Sequence, residues 1–173
     1  MPISAAPSAN LRHSPAVKTN AFVKGAYTIV REVARHVLRR PVIGTAVVGR
    51  TDDGRYLLIR RGDSGEWALP GGTLEWGETL INAIEREVAE ETGVVKLTLG
   101  RLVGVYSAPF RDPRFHAVTV VVEARIEPPT RPPMNPLEVL EVRLFSREEL
   151  PRELSHNMTP MLEDALAGRT RLE

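Results

Sequence analysis

The feature that most constrains this chain is a stretch of 23 residues near its middle, Gly72–Val94, which reads GTLEWGETLINAIEREVAEETGV. Three apolar side chains in it recur at positions i, i+3 and i+7: Ile81, Ile84 and Val88. This spacing predicts an amphipathic helix over Thr79–Thr92. Gly93 follows the last predicted turn, where a left-handed residue commonly ends a helix. We therefore expect a glycine-rich loop followed by a helix.

The predicted helix carries three glutamates on one face, because Glu87, Glu90 and Glu91 are spaced i, i+3 and i+4. Three like charges on one face repel one another, so stability alone would disfavour them. A divalent cation reverses that repulsion, and carboxylate oxygens are the ligands that Mg²⁺ and Mn²⁺ prefer. The spacing thus predicts a Mg²⁺ site that also accepts Mn²⁺. The alternative is a solvated acidic helix face.

Neighbouring residues favour the metal-site interpretation over the solvated face. Adjacent Gly71 and Gly72 allow the backbone to approach a ligand closely. Arg86 can pair with Glu78 and hold the loop against the helix, which indicates a structural role for both residues rather than a catalytic one.

The whole stretch matches a known motif: Gly, five residues, Glu, seven residues, then Arg-Glu-apolar-any-Glu-Glu-any-Gly-apolar. At a background of roughly 7% per residue, seven identities at set spacing arise about once in 10^8 windows. The stretch resembles the Nudix box, and the chain resembles a Nudix hydrolase over about residues 41–168. The resemblance implies an α/β/α sandwich and hydrolysis of a nucleoside-linked diphosphate by water. It also implies that the Gly72 carbonyl ligates metal, with Glu90 or Glu87 left open as the base.

Patterns outside the motif predict the remaining elements. Strands are predicted over residues 42–48, 56–59, 97–106, 116–126 and 137–145, with a short strand at Trp67 and a closing helix over Asn157–Ala167. The order β-β-β-α-β-β-β-α predicts an α/β fold with a mixed central sheet and helices on both faces.

Residues 1–40 differ from the rest of the chain. They carry seven Lys/Arg and one acid, a charge of +6, so the remainder carries −5 within a net charge of +1. We predict a loose basic tail, followed by an extra amphipathic helix over Ala26–Leu38 that Pro41 ends. The chain is accordingly divided into this N-terminal region, residues 1–40, and a Nudix hydrolase domain, residues 41–173. The extra helix and the family resemblance together favour a homodimer.

Composition excludes several classes of protein. The chain has no cysteine, which excludes disulfides, thiolate catalysis and zinc–thiolate sites. Its 42% hydrophobic and 26% charged residues are ordinary for a globular domain. No apolar run approaches the roughly 18–20 residues needed to span a bilayer. We therefore expect a cytoplasmic protein with no membrane partner, and the resemblance to Nudix hydrolases implies a small-molecule nucleotide substrate.

Three residues near the expected cleft are candidates for substrate binding. Arg60 and Arg61 end the second predicted strand, and guanidinium groups bind phosphates bidentately. Glu138 follows a proline-rich stretch, where Nudix enzymes often supply a further acidic group. Each of the three residues has the alternative of an ordinary surface role.

The segment Ser107–His116, called the arginine loop below, joins two predicted core strands. It offers Arg111, Asp112 and Arg114 around a proline, and cations on a rigid loop suit a diphosphate. Pro109 lies sixteen residues after the glycine that ends the motif helix. A proline at that offset followed by Arg-Asp-Pro-Arg is similar to the ADP-ribose-hydrolysing group of Nudix enzymes. The alternative is an ordinary proline-containing connection.

These features favour Mg²⁺-dependent hydrolysis of ADP-ribose or another nucleoside diphosphate sugar. Three alternatives stay open: a nucleoside-triphosphate pyrophosphatase of the MutT type, an RNA 5′-end pyrophosphohydrolase, and a catalytically silent nucleotide-sensing module. The arginine loop disfavours the first. Nucleic acid is not an expected partner, because no basic surface interleaved with aromatic residues is visible.

Overall fold

The computed structural model describes residues 25, 27–34, 40–112 and 114–173, in two compact units, Met1–Arg40 and Pro41–Glu173. In the first unit, residues 25 and 27–34 are helical and are called α1. Ile29, Val30 and Val33, which lie on its predicted apolar face, are exposed. The predicted tail and the remainder of the predicted helix fall outside the described residues.

The second unit holds two further α-helices and seven strands. In chain order they are β1 (Val42–Arg50), β2 (Tyr56–Arg61), β3 (Trp67–Ala68), α2 (Leu80–Thr92), β4 (Leu97–Tyr106), β5 (Ala117–Ile126), β6 (Val139–Phe145), α3 (Thr159–Leu166) and β7 (Arg171–Leu172). The strands pair in the order β3-β2-β1-β5-β4-β7, and β6 pairs with β2. β1 and β5 run parallel from Val42↔Ala117 to Arg50↔Arg125, whereas β2 and β4 run antiparallel to them. The predicted mixed sheet is confirmed.

Alternation along the strands sends side chains to two separate cores. Val47 and Leu57 pack with Ile84 and Val88 of α2, on one side of the sheet. The adjacent residues of the same strands point the other way and pack beneath α3: Ala46, Val48, Tyr56 and Leu58, with Met161 and Leu162. Because successive side chains of a strand point to opposite faces of the sheet, the same strands pack against α2 on one face and against α3 on the other. The α/β/α sandwich expected from the sequence is confirmed.

Two details differ from the sequence prediction. The closing helix begins at Thr159 rather than at Asn157, because His156 and Asn157 have positive φ angles of 51° and 52° and form a separate 3-10 turn. β7 was not predicted, since its two exposed residues carry no alternating pattern.

The directions of the strands bring several of the predicted site residues to one end of the sheet. β2 and β4 are antiparallel to β1 and β5, so the ends of β2 and β4 meet the beginnings of β1 and β5. Arg61 and the arginine loop therefore lie at the end where Gly72 reaches β1, where the Thr45 N–H donates to the Gly72 carbonyl at 2.8 Å.

Candidate active site

Helix α2 is fixed at both ends by local contacts. Thr79 caps its start, since its hydroxyl accepts a hydrogen bond from the Asn82 N–H at 3.2 Å. Gly93 ends it in the left-handed conformation, φ 71°, as the sequence predicts. A Cβ atom on Gly93 would lie 1.9 Å from the carbonyl oxygen of Arg131, so the proline-rich segment packs against the helix end only because that residue is glycine.

Arg86 joins the loop to the helix. Its Nε and Nη2 atoms donate to the two carboxylate oxygens of Glu78 at 2.9 and 3.0 Å, and Nη2 also donates to the Thr73 carbonyl at 3.2 Å. The Arg86 hydrogen bond lowers the pKa of Glu78, and the same bond raises the pKa of Arg86. Both groups therefore stay charged, and the loop is tied to the helix. Trp76, at the tip of this loop, is fully exposed.

Glu87 and Glu90 share the remaining donors of Arg86. Nη1 donates to Glu87 at 2.9 Å and to Glu90 at 3.4 Å. Glu87 is mostly covered, with 15% of its side chain exposed, whereas Glu90 is 43% exposed. A Cβ atom on Gly72 would lie 2.3 Å from the Glu87 carboxylate, so glycine is required for the loop to pass this close to the helix. Gly72 and Glu87 are therefore brought together.

Glu91 faces the same loop from the next position on the helix. Its Oε2 atom accepts from the Gly71 N–H at 2.8 Å. The pKa of Glu91 is raised to about 8, mainly by burial and also by the negative charges of Glu87 and Glu138, against the lowering effects of the Gly71 N–H and the Arg61 charge. The Glu138 side chain is exposed, and its negative charge acts on Glu91.

The predicted ligands adjoin one another without forming a closed coordination shell. Among the residues that the structure describes, no three acidic or histidine side chains converge on one point, because Arg86 and the Gly71 N–H hold the carboxylates. The donor set nevertheless fits a hard divalent cation. Carboxylate oxygens and a carbonyl oxygen are the ligands that Mg²⁺ takes, and the half-buried Glu91 carboxylate has no cationic hydrogen-bond partner among the described residues.

The two arginines at the end of β2 have different surroundings. Arg61 donates to both oxygens of Asp63, Nε at 2.9 Å and Nη2 at 2.8 Å, and its charge acts on Glu91. Arg60 points toward β6, where its Nε lies 3.7 Å from Glu141, and that buried Nε has no hydrogen-bond partner. Arg61 therefore lies on the glutamate side of the strand pair, whereas Arg60 faces β6.

The arginine loop brings Arg114 toward Arg61. Asp112 accepts from the Arg114 main-chain N–H, Nε and Nη2 at 2.9, 3.0 and 2.7 Å, and Arg114 Nη1 lies 3.5 Å from Asp63. Burial lowers the pKa of nearby His156, and the positive charges of Arg61 and Arg114 lower it further. Asp63 thus lies between two arginines. Of the predicted loop residues, Pro109 is exposed and Pro113 lies outside the described residues.

Arg111 turns away from these residues, which the sequence did not predict. It is 8% exposed, its Nε and Nη2 donate to Glu173 at 2.6 and 2.8 Å, and its Nη1 donates to the Asn157 carbonyl at 3.0 Å. The guanidinium lies over the Tyr106 ring at 5.0 Å. Because the Arg111 guanidinium is buried against Glu173, Asn157 and Tyr106, a substrate phosphate cannot reach it as it can the 45% exposed Arg114, so in this structure Arg111 supports the loop.

Sequence reasoning missed four residues of this region: Asp63, His156, Asn157 and Glu173. Asp63 could have been predicted from the sequence, because it follows Arg61 by two positions at the end of a strand. The other three lie 40 or more positions beyond the loop and enter it only through the fold.

A cavity of about 810 Å³ lies at the opposite end of the sheet, lined in part by Arg50, Asp52, Arg125 and Arg147. It contains none of the predicted site residues. The chemistry of the glutamate end, rather than the size of this cavity, identifies the candidate site.

Comparison with known proteins agrees with the motif and the fold. The NUDIX domain model matches residues 40–165, which is most of the chain. The chain belongs to the Nudix family. It is 34% identical over 126 residues to a MutT-like protein of Streptomyces ambofaciens, covering 73% of this chain and 77% of that protein. The resemblance and the hydrolase class expected from the sequence are confirmed.

Two Nudix proteins named as ADP-ribose pyrophosphatases are also similar. The one from Methanocaldococcus jannaschii is 47% identical over 72 residues, a match that covers 40% of this chain and only 42% of the relative. The solved structure of the one from Streptococcus suis superposes with a TM-score of 0.63 at 25% identity, covering 78% of this chain and all of that chain. No helix among the described residues is long and apolar enough to cross a membrane.

Proposed function

We propose that this Nudix protein hydrolyses the diphosphate bond of a nucleoside diphosphate sugar, such as ADP-ribose, with Mg²⁺ or Mn²⁺. The observation that carries the proposal is the position of Arg114, which Asp112 orients within 3.5 Å of Asp63, at the sheet end that bears the glutamates. A guanidinium there is suited to hold a diphosphate against the metal ligands.

Gly72, Glu87, Glu90 and Glu91 would hold the cation. When bound, it supplies charge neutralisation at the phosphate oxygens and lowers the pKa of a bound water. Arg86 holds Glu87 near Gly72 and so presents two of the ligands together. Glu90 is more exposed than Glu87 and is held more weakly by Arg86. Glu90 is therefore the better candidate to accept the proton of the attacking water, with Glu87 as the alternative.

The proposed reaction is one hydrolysis. The water oxygen bonds to one phosphorus as that phosphorus loses its bond to the bridging oxygen, and the proton of the water passes to the glutamate. For ADP-ribose the products are AMP and ribose 5-phosphate. Arg114, and Arg61 with it, would bind the phosphate that lies farther from the metal ligands.

A nucleoside-triphosphate pyrophosphatase is the second candidate, favoured by the relative named MutT-like, which aligns with most of this chain. An RNA 5′-end substrate and a silent nucleotide sensor are further outcomes of the same test. The similarity of the arginine loop to the ADP-ribose-hydrolysing group favours the diphosphate sugar over these three alternatives.

The test is a phosphate-release panel with Mg²⁺ or Mn²⁺, in which a coupled phosphatase detects the products. It compares ADP-ribose, GDP-mannose and UDP-glucose with the common NTPs and dNTPs, and Glu90→Gln is the inactive control. We expect the largest kcat/KM for a diphosphate sugar. Preference for a triphosphate would contradict the substrate assignment and leave the metal chemistry intact. No turnover of any compound would favour RNA ends or the silent sensor.

The homodimer and the cytoplasmic location stay predictions from the sequence. Light scattering on the full chain and on residues 41–173 tests the first: we expect a dimer that depends on residues 1–40. If residues 41–173 still form the same dimer, the N-terminal helix is not part of the interface.

A further inference from the structure

Residues 169–173, called the C-terminal segment below, lie beside β4 at the edge of the sheet and contact the arginine loop through Glu173. The main chain of Glu173 donates to the Val105 carbonyl at 3.0 Å and accepts from the Ser107 hydroxyl at 2.6 Å. Its carboxylate accepts from Arg111 Nε and Nη2 at 2.6 and 2.8 Å. One residue thus contacts both the beginning of the loop and its middle.

Loss of the ion pair between Glu173 and Arg111 would be energetically costly for the loop. Arg111 is buried, and a buried guanidinium without its counter-charge is strongly unfavourable. Glu173 is its only carboxylate partner among the described residues, and the Asn157 carbonyl and the Tyr106 ring complete its surroundings. Removal of the Glu173 charge should therefore make the loop rearrange to expose Arg111.

The residues that follow Arg111 in the sequence lie at the candidate active site. Asp112 is the next residue, and it fixes Arg114 through three hydrogen bonds of 2.7–3.0 Å. A displacement of Arg111 would therefore displace Asp112 and, with it, the guanidinium beside Asp63. This sequence of contacts joins Glu173 to a residue that we place in substrate binding.

The C-terminal segment is itself held firmly. Asp164, with 1% of its side chain exposed, accepts from Arg169 Nε at 2.8 Å, Arg171 Nε at 2.5 Å and the Tyr106 hydroxyl at 3.0 Å. Strand β7 pairs with β4, and a Cβ atom on Gly104 would lie 2.3 Å from the Arg171 carbonyl oxygen. Glu173 therefore projects from a fixed support.

We propose that Glu173 is a positioning residue for substrate binding, which acts through Arg111 to set the conformation of the arginine loop. The proposal rests on the proposed function, because it takes Arg114 as a contact to the substrate diphosphate. Glu173 does not touch the reacting atoms, so its removal should weaken substrate binding and leave the chemical step unchanged.

The experiment is a double-mutant cycle on the full chain with Glu173→Gln, Arg111→Gln and the double variant. Glu163→Gln is the matched control, because Glu163 is an exposed glutamate on α3. KM and kcat are measured with ADP-ribose, and hydrogen exchange of the loop amides is measured in the free protein. Exchange in β1 and β5 reports whether each variant keeps its fold.

We expect each single variant to raise KM by about tenfold, with kcat nearly unchanged and faster exchange in the arginine loop. The double variant should be no worse than either single variant, since both remove the same contact. Glu163→Gln should change none of these quantities.

Two results would overturn the inference in different ways. Unchanged loop exchange, or KM effects that multiply in the double variant, would show that Glu173 does not act through Arg111. Faster loop exchange with an unchanged KM would show that Glu173 holds a loop that does not bind this substrate. Only the second result counts against the substrate assignment of the proposed function.

Discussion

Helix α2 and the arginine loop lie at the same end of the sheet but are held by contacts of very different range. Arg86 of the helix finds its carboxylate partners within eight positions along the chain. Arg111 of the loop pairs with Glu173 and Asn157, 62 and 46 positions away. The metal-ligating side is thus organised locally, whereas the substrate side depends on the completed fold. Substitutions in the first should affect chemistry, and substitutions in the second should affect binding and stability.

The largest effect is expected from Glu90→Gln. This variant removes a metal ligand and the candidate base, so kcat should fall by roughly 10²–10⁴-fold while the thermal midpoint hardly changes. Steady-state kinetics and thermal unfolding measure the two quantities. Glu85→Gln, an exposed glutamate on the same helix, is the matched control and should keep full activity. Full turnover by Glu90→Gln would sink the proposed mechanism.

Gly72→Ala should have the next largest effect. The new Cβ would lie 2.3 Å from the Glu87 carboxylate, which must swing away from both the loop and Arg86. We expect activity at a fixed Mn²⁺ concentration to fall about 10–100-fold, because a metal ligand is displaced. Titration of activity with Mn²⁺ measures it, and excess metal should restore part of the loss. Normal activity at low Mn²⁺ would contradict the assignment of Gly72 and Glu87 to one metal site.

A smaller effect, on binding alone, is expected from Arg114→Ala. Loss of one charge-assisted contact to the diphosphate should raise KM about tenfold and leave kcat nearly unchanged. Kinetics with ADP-ribose measure both. Arg147→Ala removes an exposed arginine at the opposite end of the sheet and should leave KM unchanged. If both variants raised KM equally, substrate binding would depend on the net positive charge of the protein and not on the position of Arg114.

The smallest effect on chemistry and a clear effect on stability are expected from Asp164→Asn. Hydrogen bonds from Arg171, Arg169 and the Tyr106 hydroxyl together lower the pKa of Asp164 from 3.8 to about 2. Since the folded-state pKa is lowered, this carboxylate stabilises the protein above about pH 4, and that stabilisation disappears as the pH falls toward 2. Thermal unfolding of both proteins from pH 2 to 7 should therefore give a midpoint difference that shrinks in acid. A difference independent of pH would disprove the ionic contribution.

The same contrast explains what the sequence predicted well. Periodicity gave α2 and strands β1, β2, β4 and β5 because alternation and helical spacing are local properties. The association of Gly72 with Glu87 came instead from the resemblance to the Nudix box, since the two residues lie 15 positions apart. The ends of α2 were predictable from Thr79 and Gly93, which act within the helix's own first and last turns.

What the sequence could not predict depends on distant pairs. Arg111 and Arg114 carry the same side chain three positions apart, and nothing local indicates that one is buried and the other partly exposed. β7 forms because β4 offers a glycine at Gly104, not because of any pattern of its own. His156 is placed beside the arginines by a left-handed backbone that an L-residue rarely adopts.

The two tryptophans of the chain stand in contrasting surroundings, which gives the protein two natural optical reporters. Trp67 packs edge-on against Phe145, with ring centroids 4.8 Å apart, so its emission should follow unfolding. Trp76 is fully exposed on the loop that Arg86 ties to the glutamates, so paramagnetic Mn²⁺ bound there should quench it. With Trp67→Phe, cation binding becomes readable by fluorescence titration without any turnover assay.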